Sequence, residues 1–161
     1  MRIAVLSDTH DNVWVLERLL PGLAEAELLI HCGDLCAPFT LRLIAEGFLR
    51  PVHVTFGNND GDILLMTRVA AQHPNVTLSA PMGEIEAGGR RLAFVHYPQF
   101  GEGLAALGRY DAVFSGHTHQ PDLRTIGRTL FANPGAVFGR ERPPTYGIYD
   151  TETNTFSHHT L

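Results

Sequence analysis

Short apolar runs alternate with stretches in which apolar positions recur every three or four residues, and this alternation sets the order of elements in the first half of the chain. Residues 2–7 (RIAVLS) form a β-type run. Behind it Asn12 can cap a helix whose apolar positions are Val13, Leu16, Leu19, Leu20 and Leu23. Pro21 is expected to kink or end that helix, because its ring clashes with the Glu17 carbonyl and it has no amide hydrogen. A second run, 28–32 (LLIHC), precedes a weaker helix over 40–46. A third, 52–56 (VHVTF), precedes a helix over 62–72 that His73-Pro74 stops. The order βαβαβα predicts a parallel sheet with helices on its faces.

The second half reads differently. Runs 76–79, 84–87 and 91–95 predict short strands, with Gly88-Gly89 as a hairpin turn between the last two. One short helix is expected over 103–107. Runs 112–115, 123–126, 129–132, 146–149 and 155–158 are expected to complete a mainly antiparallel set. Residues 135–144 are the longest loop-like stretch, and there is no linker, repeat or low-complexity segment. The pattern predicts an α/β fold with two packed sheets and helices outside, residues 1–161 making one domain.

Composition narrows the function. With 161 residues and 44% hydrophobic content the chain can bury a core, and disorder is excluded. No apolar run approaches the about 20 residues of a membrane span, and the short apolar start, followed at once by Asp8 and His10, reads as a first strand and not a signal peptide. Twelve basic against seventeen acidic residues give a charge of −5, which disfavours duplex nucleic acid as a partner. Cys32 and Cys36 are too few for a disulfide framework or a four-cysteine zinc site, so a reducing cytoplasm is expected. Nine histidines are many for this length, and their positions decide the chemistry.

The polar residues of interest each follow an apolar run: Asp8 and His10, Gly33-Asp34, Gly57-Asn58-Asn59-Asp60, His96, and Gly116-His117-Thr118-His119. In open α/β sheets ligands bind beyond the carboxyl ends of the strands. Taken singly, each group has an ordinary explanation. Gly33-Asp34 is a turn, and Asp60 can be the N-cap of the helix that follows. His117 and His119 lie two apart, which puts them on one side of an extended chain. Together they deliver two aspartates, an asparagine and four histidines to what can be one edge. Such nitrogen and oxygen donors suit manganese, iron, zinc or nickel, and seven of them exceed one tetrahedral ion, so two ions sharing a ligand is the economical arrangement.

These groups match, in order, the five motifs of the calcineurin-like metallophosphoesterase superfamily. The SDTHDN opening, the short length and the Asn133-Pro134-Gly135 turn resemble its small bacterial and archaeal phosphodiesterase branch. The resemblance implies two facing mixed β-sheets flanked by helices, a four-layer αββα sandwich, with a dinuclear centre at one edge. Asp8, His10, Asp34 and His119 resemble the ligands of one ion, and Asp34, Asn58, His96 and His117 those of the other, Asp34 bridging. It also implies manganese as the commonest activator, a small phosphate ester as substrate, and pairing into a homodimer or larger homo-oligomer. Two divalent ions, two carboxylates and a bridging hydroxide sum to about +1, enough to draw an anionic ester to an acidic protein. The ions would lower the pKa of the shared water and clamp the phosphoryl oxygens for in-line attack.

Two departures bear on catalysis, and Asn59, Asp60 and Tyr97 are the candidate catalytic residues. Many family members have a histidine at the position of Asn59, where it serves the leaving group. A carboxamide can donate a hydrogen bond there but has no proton to give, which favours good leaving groups such as aryl diesters. After His96 the family continues with glycine and histidine, whereas this chain has Tyr97-Pro98. Pro98 pushes Tyr97 toward an extended backbone. The ring can then anchor the loop, half-buried, or lean over the site toward an aryl or nucleobase group.

The remaining conspicuous residues have plainer expectations. His31 and His53 read as core or supporting histidines, His158 and His159 as a strand end in solvent, and Trp14 as surface packing or an oligomer contact. Arg140 and Arg142 sit in a Pro/Gly-rich loop where they can meet a phosphate or simply be exposed. A catalytically weak nucleotide-binding or protein-scaffold member of the same family, as one retromer subunit is, is the alternative. Competent donors at all seven ligand positions favour the enzyme.

Overall fold

The structure, a computed structural model, describes residues 1–140 and 142–161. In chain order its elements begin β1 (Arg2–Leu6), α1 (Val13–Leu19), a 3₁₀ turn (Leu20–Leu23), β2 (Leu28–His31), α2 (Pro38–Gly47) and β3 (Val52–Thr55). Next come α3 (Ile63–Gln72), β4 (Val76–Ser79), β5 (Met82–Ala87), β6 (Arg90–Val95) and α4 (Pro98–Ala106). The last are β7 (Ala112–Phe114), β8 (Pro121–Ile126), β9 (Thr129–Pro134), β10 (Thr145–Asp150) and β11 (Thr155–Thr160). Local chemistry explains the first helix: the Asn12 side chain accepts from the Val15 amide, and the α-helix tightens into the 3₁₀ turn at Pro21.

Six strands in the order β11-β10-β1-β2-β3-β4 make one sheet, and five in the order β5-β6-β7-β9-β8 make the other. Strand alternation distributes the core among three interfaces. On β1, Ala4 and Leu6 pack with Leu16, Leu41, Ile44 and Met66 of the helices, while Ile3 and Val5 face Leu92, Phe94 and Phe114 of the second sheet. Ala93, Val113 and Phe131, the intervening positions of the second sheet, pack with Ala105 of α4. Helices, sheet, sheet and helix therefore form four layers, as the resemblance implies. The central strands read as continuous apolar runs because both of their faces are covered.

The expected antiparallel pairing holds for β5–β6, β8–β9 and β10–β11, and β10 also lies antiparallel to β1, so that β10 and β11 return to the first sheet. Two details need correcting. β6, β7 and β9 are mutually parallel, because α4 crosses over between β6 and β7 and so permits parallel pairing. That helix begins at Pro98 and not at 103, since proline's fixed φ and missing N–H suit a first helical turn. Gly101, which weakens the helical pattern in sequence, allows the close approach: a Cβ there would lie 2.8 Å from the Phe131 ring. Parallel pairing sends the ends of β1, β2, β3, β6 and β7 to one rim. No helix among the described residues is long and apolar enough to cross a membrane.

Candidate metal centre

Backbone ladders continue beyond the strands and set the loops that carry the donors. The Asp8 and His10 amides donate to the Gly33 and Asp34 carbonyls, both at 3.0 Å. On the other side, the Val137 and Phe138 amides donate to the Ser7 and Asp8 carbonyls at 3.0 and 2.9 Å. Asp11 accepts from the Ala37 amide and the Thr40 hydroxyl, so it caps α2, where Ala37 offers no side-chain cap. Asn133 donates to the Gly116 carbonyl at 2.7 Å and to the Thr118 hydroxyl at 3.1 Å, pinning the turn that bears His117 and His119.

The seven predicted donors converge. His10 Nε2 lies 3.1 Å from His119 Nε2, 3.8 Å from Asp8 Oδ1 and 3.6 Å from Asp34 Oδ2. His119 Nε2 lies 3.4 Å from Asp8 Oδ1. Around His96 Nε2 stand Asn58 Oδ1 at 3.0 Å, His117 Nδ1 at 3.2 Å and Asp34 Oδ2 at 3.5 Å. Two groups, Asp8 with His10 and His119, and Asp8 with Asp34 and His96, bring their donor atoms within 4.8 Å of one another. Asp8, Asp34 and His96 are buried, His10 and His119 half-buried, and Asn58 and His117 exposed.

The tautomer of His96 follows from the partner on the far side of its ring. His96 Nδ1 donates to the Cys32 carbonyl at 2.9 Å, so in the neutral imidazole Nε2 presents a lone pair to the other donors. His10 directs Nδ1 to the Cys36 thiol at 3.6 Å and Nε2 inward. Burial lowers the pKa of His10. Asp8 accepts from the His117 amide through Oδ2, but no hydrogen bond reaches its buried Oδ1, and burial raises this carboxyl to about 6. With its Nδ1–H given to Cys32, His96 Nε2 turns a lone pair toward Asn58 Oδ1 at 3.0 Å, an arrangement that is unfavourable until a cation lies between them. Donor type, spacing and the unpartnered oxygen all fit a divalent ion of the kind bound by imidazole and carboxylate.

The backbone is strained where these side chains meet. Asp8, His10, Asp34, His117 and His119 all have positive φ, between 44° and 72°. Each such non-glycine residue costs about 1 kcal/mol and persists only where the surroundings over-determine it. Positive φ also corrects the expectation for His117 and His119: the segment is not extended, and the two rings part, His117 to His96 and His119 to His10. Close approach requires glycine here, since a Cβ on Gly57 would stand 2.2 Å from Asp34 Oδ1 and one on Gly116 would stand 2.8 Å from Asp8 Oδ2.

The other candidates fall into place around the donors. Asp60 does not cap the third helix; Asp62 does, accepting from Leu65. Asp60 instead accepts from the amides of Asp34, Cys36 and Gly57 at 3.0, 2.8 and 2.6 Å, tying the second and third motif loops together. Asn59 donates to Asp34 twice, from its amide at 2.8 Å and its carboxamide at 2.7 Å. Tyr97 ends the extended segment before α4 with φ −81° and ψ 123°, as Pro98 dictates, and its ring lies 5.1 Å from His96 and 4.9 Å from His117. His31 is fully buried and links two ligand loops: Nδ1 accepts from Gly33, leaving Nε2–H for the Thr9 hydroxyl at 2.8 Å. Burial pushes its pKa down to about 3, so it stays neutral.

His53 is half-buried against Phe94, and Trp14 is exposed. His158 is not in free solvent: its Nε2 lies 2.8 Å from the Asn133 carbonyl, while exposed His159 stacks on Tyr146. Sequence reasoning passed over Asp11, Cys36 and Phe138. Asp11 carries a weak signal, an acid within reach of a helix start; Cys36 and Phe138 carry none, since their partners are distant in the chain.

Similarity to known proteins agrees with this geometry. The family model of the calcineurin-like phosphoesterase superfamily domain matches residues 1–154. A protein named as a probable metallophosphoesterase, from Methanothermobacter thermautotrophicus, is 31% identical over 147 positions, covering 84% of this chain and 77% of its own. The phosphodiesterase YfcE of Escherichia coli is 27% identical, with 94% of this chain and 89% of that one covered. A solved structure described as an archaeal phosphodiesterase superposes with a TM-score of 0.91 at 26% identity, covering 100% of both chains. With donors, rim and layers in the same arrangement that its motifs imply, this chain belongs to the calcineurin-like phosphoesterase superfamily.

Proposed function

We propose that the chain, as one domain over 1–161, is a dinuclear, divalent-metal-dependent phosphodiesterase acting on small phosphate esters in the cytoplasm, with manganese the first choice of metal. The observation that carries this reading is the position of Asp34: its Oδ2 stands 3.6 Å from His10 Nε2 and 3.5 Å from His96 Nε2, between the two donor groups. Asp8, His10 and His119 would hold one ion, Asn58, His96 and His117 the other, with Asp34 common to both. The ions would supply Lewis acidity toward the phosphoryl oxygens and toward water.

The residues around them do the positioning. The Cys32 carbonyl and the Cys36 thiol orient the His96 and His10 rings so that each turns Nε2 toward the other donors. Asn59 holds Asp34 through two donated hydrogen bonds, and Asp60 holds the Asp34 backbone from behind. Neither delivers a proton to a leaving oxygen: a carboxamide has none to give, and the Asp60 oxygens are spent on amides. Water attack at phosphorus, in line with the leaving oxygen, therefore favours leaving groups that depart as anions.

With manganese, bis(4-nitrophenyl) phosphate should be hydrolysed over many turnovers, and a diester with only alkyl leaving groups at least about 100-fold more slowly, the span that a missing general acid accounts for. Chelation should abolish turnover. Equal rates on aryl and alkyl esters would assign a leaving-group acid that the geometry does not contain, and an inert protein that binds no metal would leave the scaffold reading.

Tyr97 acts on this reading as a brace. Its carbonyl accepts from the Phe100 and Gly101 amides at the start of α4, and its ring packs edge-on against two imidazoles. Tyr97→Phe should keep both rate and aryl preference within about twofold, whereas Tyr97→Ala should weaken manganese binding about 10-fold, in the range for residues that orient a ligand. A large loss of rate in the phenylalanine variant alone would give the hydroxyl a direct role.

A further inference from the structure

Beside His119 a cleft of about 410 Å³ opens between the 118–121 turn and the segment after β9, a size that accommodates a substrate fragment well beyond the reacting phosphate. Arg140 and Arg142 line it, together with Gln120 and Thr145. Its position relative to the donors is fixed at both ends. The Phe138 amide donates to the Asp8 carbonyl, Asn12 donates to the Phe138 carbonyl at 2.7 Å, and the Phe138 ring packs 5.1 Å from His10. At the far end the Thr145 amide donates to the Ala136 carbonyl at 3.0 Å, closing the base of the loop.

What sets the two arginines apart is their place in the cleft, since among the described residues Arg18, Arg42, Arg68 and Arg109 also make no side-chain hydrogen bond or ion pair but do not line it. The chain contains no lysine, so its 12 basic side chains are all arginine. Arg2, Arg90, Arg91 and Arg124 are paired with carboxylates, and Arg50 and Arg128 donate to backbone carbonyls. Among the described residues no such partner meets Arg140 or Arg142. On a protein of net charge −5, guanidinium groups that line a cleft opening onto His119 run against the overall electrostatic trend. A guanidinium presents a planar fork of N–H donors that matches the oxygens of a phosphate, and each such charge-assisted pair is among the stronger hydrogen bonds. Pro121 and Phe138 give the same cleft an apolar wall for an uncharged spacer.

We infer that this cleft is a subsite for a second phosphate on the substrate, so that the preferred diesters carry a terminal phosphomonoester a spacer away from the scissile group. The inference rests on the phosphodiesterase reading of the neighbouring donors and names the substrate class for it. Thymidine 5′-(4-nitrophenyl phosphate) and the same compound bearing a 3′-phosphate release the same chromophore and differ only in the second anion. With manganese, the 3′-phosphorylated diester should have a kcat/KM at least about 10-fold higher, through a lower KM. In the Arg140→Gln/Arg142→Gln double variant the two substrates should converge to the same kcat/KM; either single variant carries the same readout should the double variant fold poorly. Equal values in the parent protein, or a gap that survives both substitutions, overturn the subsite. Failure to hydrolyse either diester defeats the phosphodiesterase reading instead, and calorimetry with thymidine 3′,5′-bisphosphate against thymidine 5′-phosphate then decides the subsite by itself: about 10-fold tighter binding of the bisphosphate, lost in the double variant, supports it, and equal binding removes it.

Discussion

Replacing Asp34 by alanine should empty both cation positions together and lower kcat/KM on an aryl phosphodiester by at least about 10³-fold, because a shared carboxylate sets the spacing of a two-metal site. Asp34 is 1% exposed, its Oδ2 stands nearly equidistant from the inward nitrogens of His10 and His96, and its positive φ directs the side chain into the space between them. His119→Ala removes a donor from one group only, since His119 meets His10 and Asp8 but none of Asn58, His96 or His117. Metal content after dialysis against manganese separates the two variants: the His119 variant should retain about one ion per chain, the Asp34 variant none at matched free metal. Loss of fold is a separate matter, read by melting of the chelated proteins. Two tightly held ions in Asp34→Ala would remove the bridging role and, with it, the observation on which the proposed function stands.

Much of this was legible in the sequence, for a physical reason. In a sheet covered on both faces the strands are short apolar runs, and the first polar residues after them must emerge at the rim; Asp8, Asp34, Asn58, His96 and His117 are each the first or second polar group past such a run. Local turn chemistry was equally legible, as with Asn12, Pro21 and the extended backbone that Pro98 imposes on Tyr97. What the pattern did not contain is set by partners far along the chain. Asp60 looks like a helix cap until the amides of Asp34 and Cys36 are seen to converge on it. The directions of His117 and His119 follow from positive φ at both, a property that periodicity of two cannot express. The return of β10 and β11 to the first sheet likewise depends on pairing across more than a hundred residues, Arg2 opposite Asp150, which short-range alternation leaves open.

Asp8→Asn should make the chelated protein more stable while abolishing its stabilisation by manganese. Asp8 is fully buried, its Oδ1 has no hydrogen bond, and burial lifts its carboxyl from 3.8 to about 6. A carboxyl whose folded pKa lies above its unfolded one is destabilising when ionised. The penalty is absent below pH 4, grows as pH rises from about 4 to 6, and is constant above that, amounting to about 2–3 kcal/mol for a shift of this size. Asparagine carries no such charge, and its nitrogen in the place of Oδ1 would stand 3.4 Å from His119 Nε2 and 3.8 Å from His10 Nε2. In chelator at pH 7.5 the variant should therefore melt roughly 4–8 °C above the parent, with the gap closing toward pH 4. Added manganese should reverse the order, because binding to the folded state alone stabilises the parent in proportion to the logarithm of free metal, and the variant lacks the anionic donor. A variant that melts below the parent in chelator would show that Asp8 is compensated by the protein itself, and the fit of this rim to a cation would lose its energetic basis. The reversal, by contrast, ties the strain and buried charge at the rim to one cause: the fold keeps a destabilised carboxylate because a cation completes it.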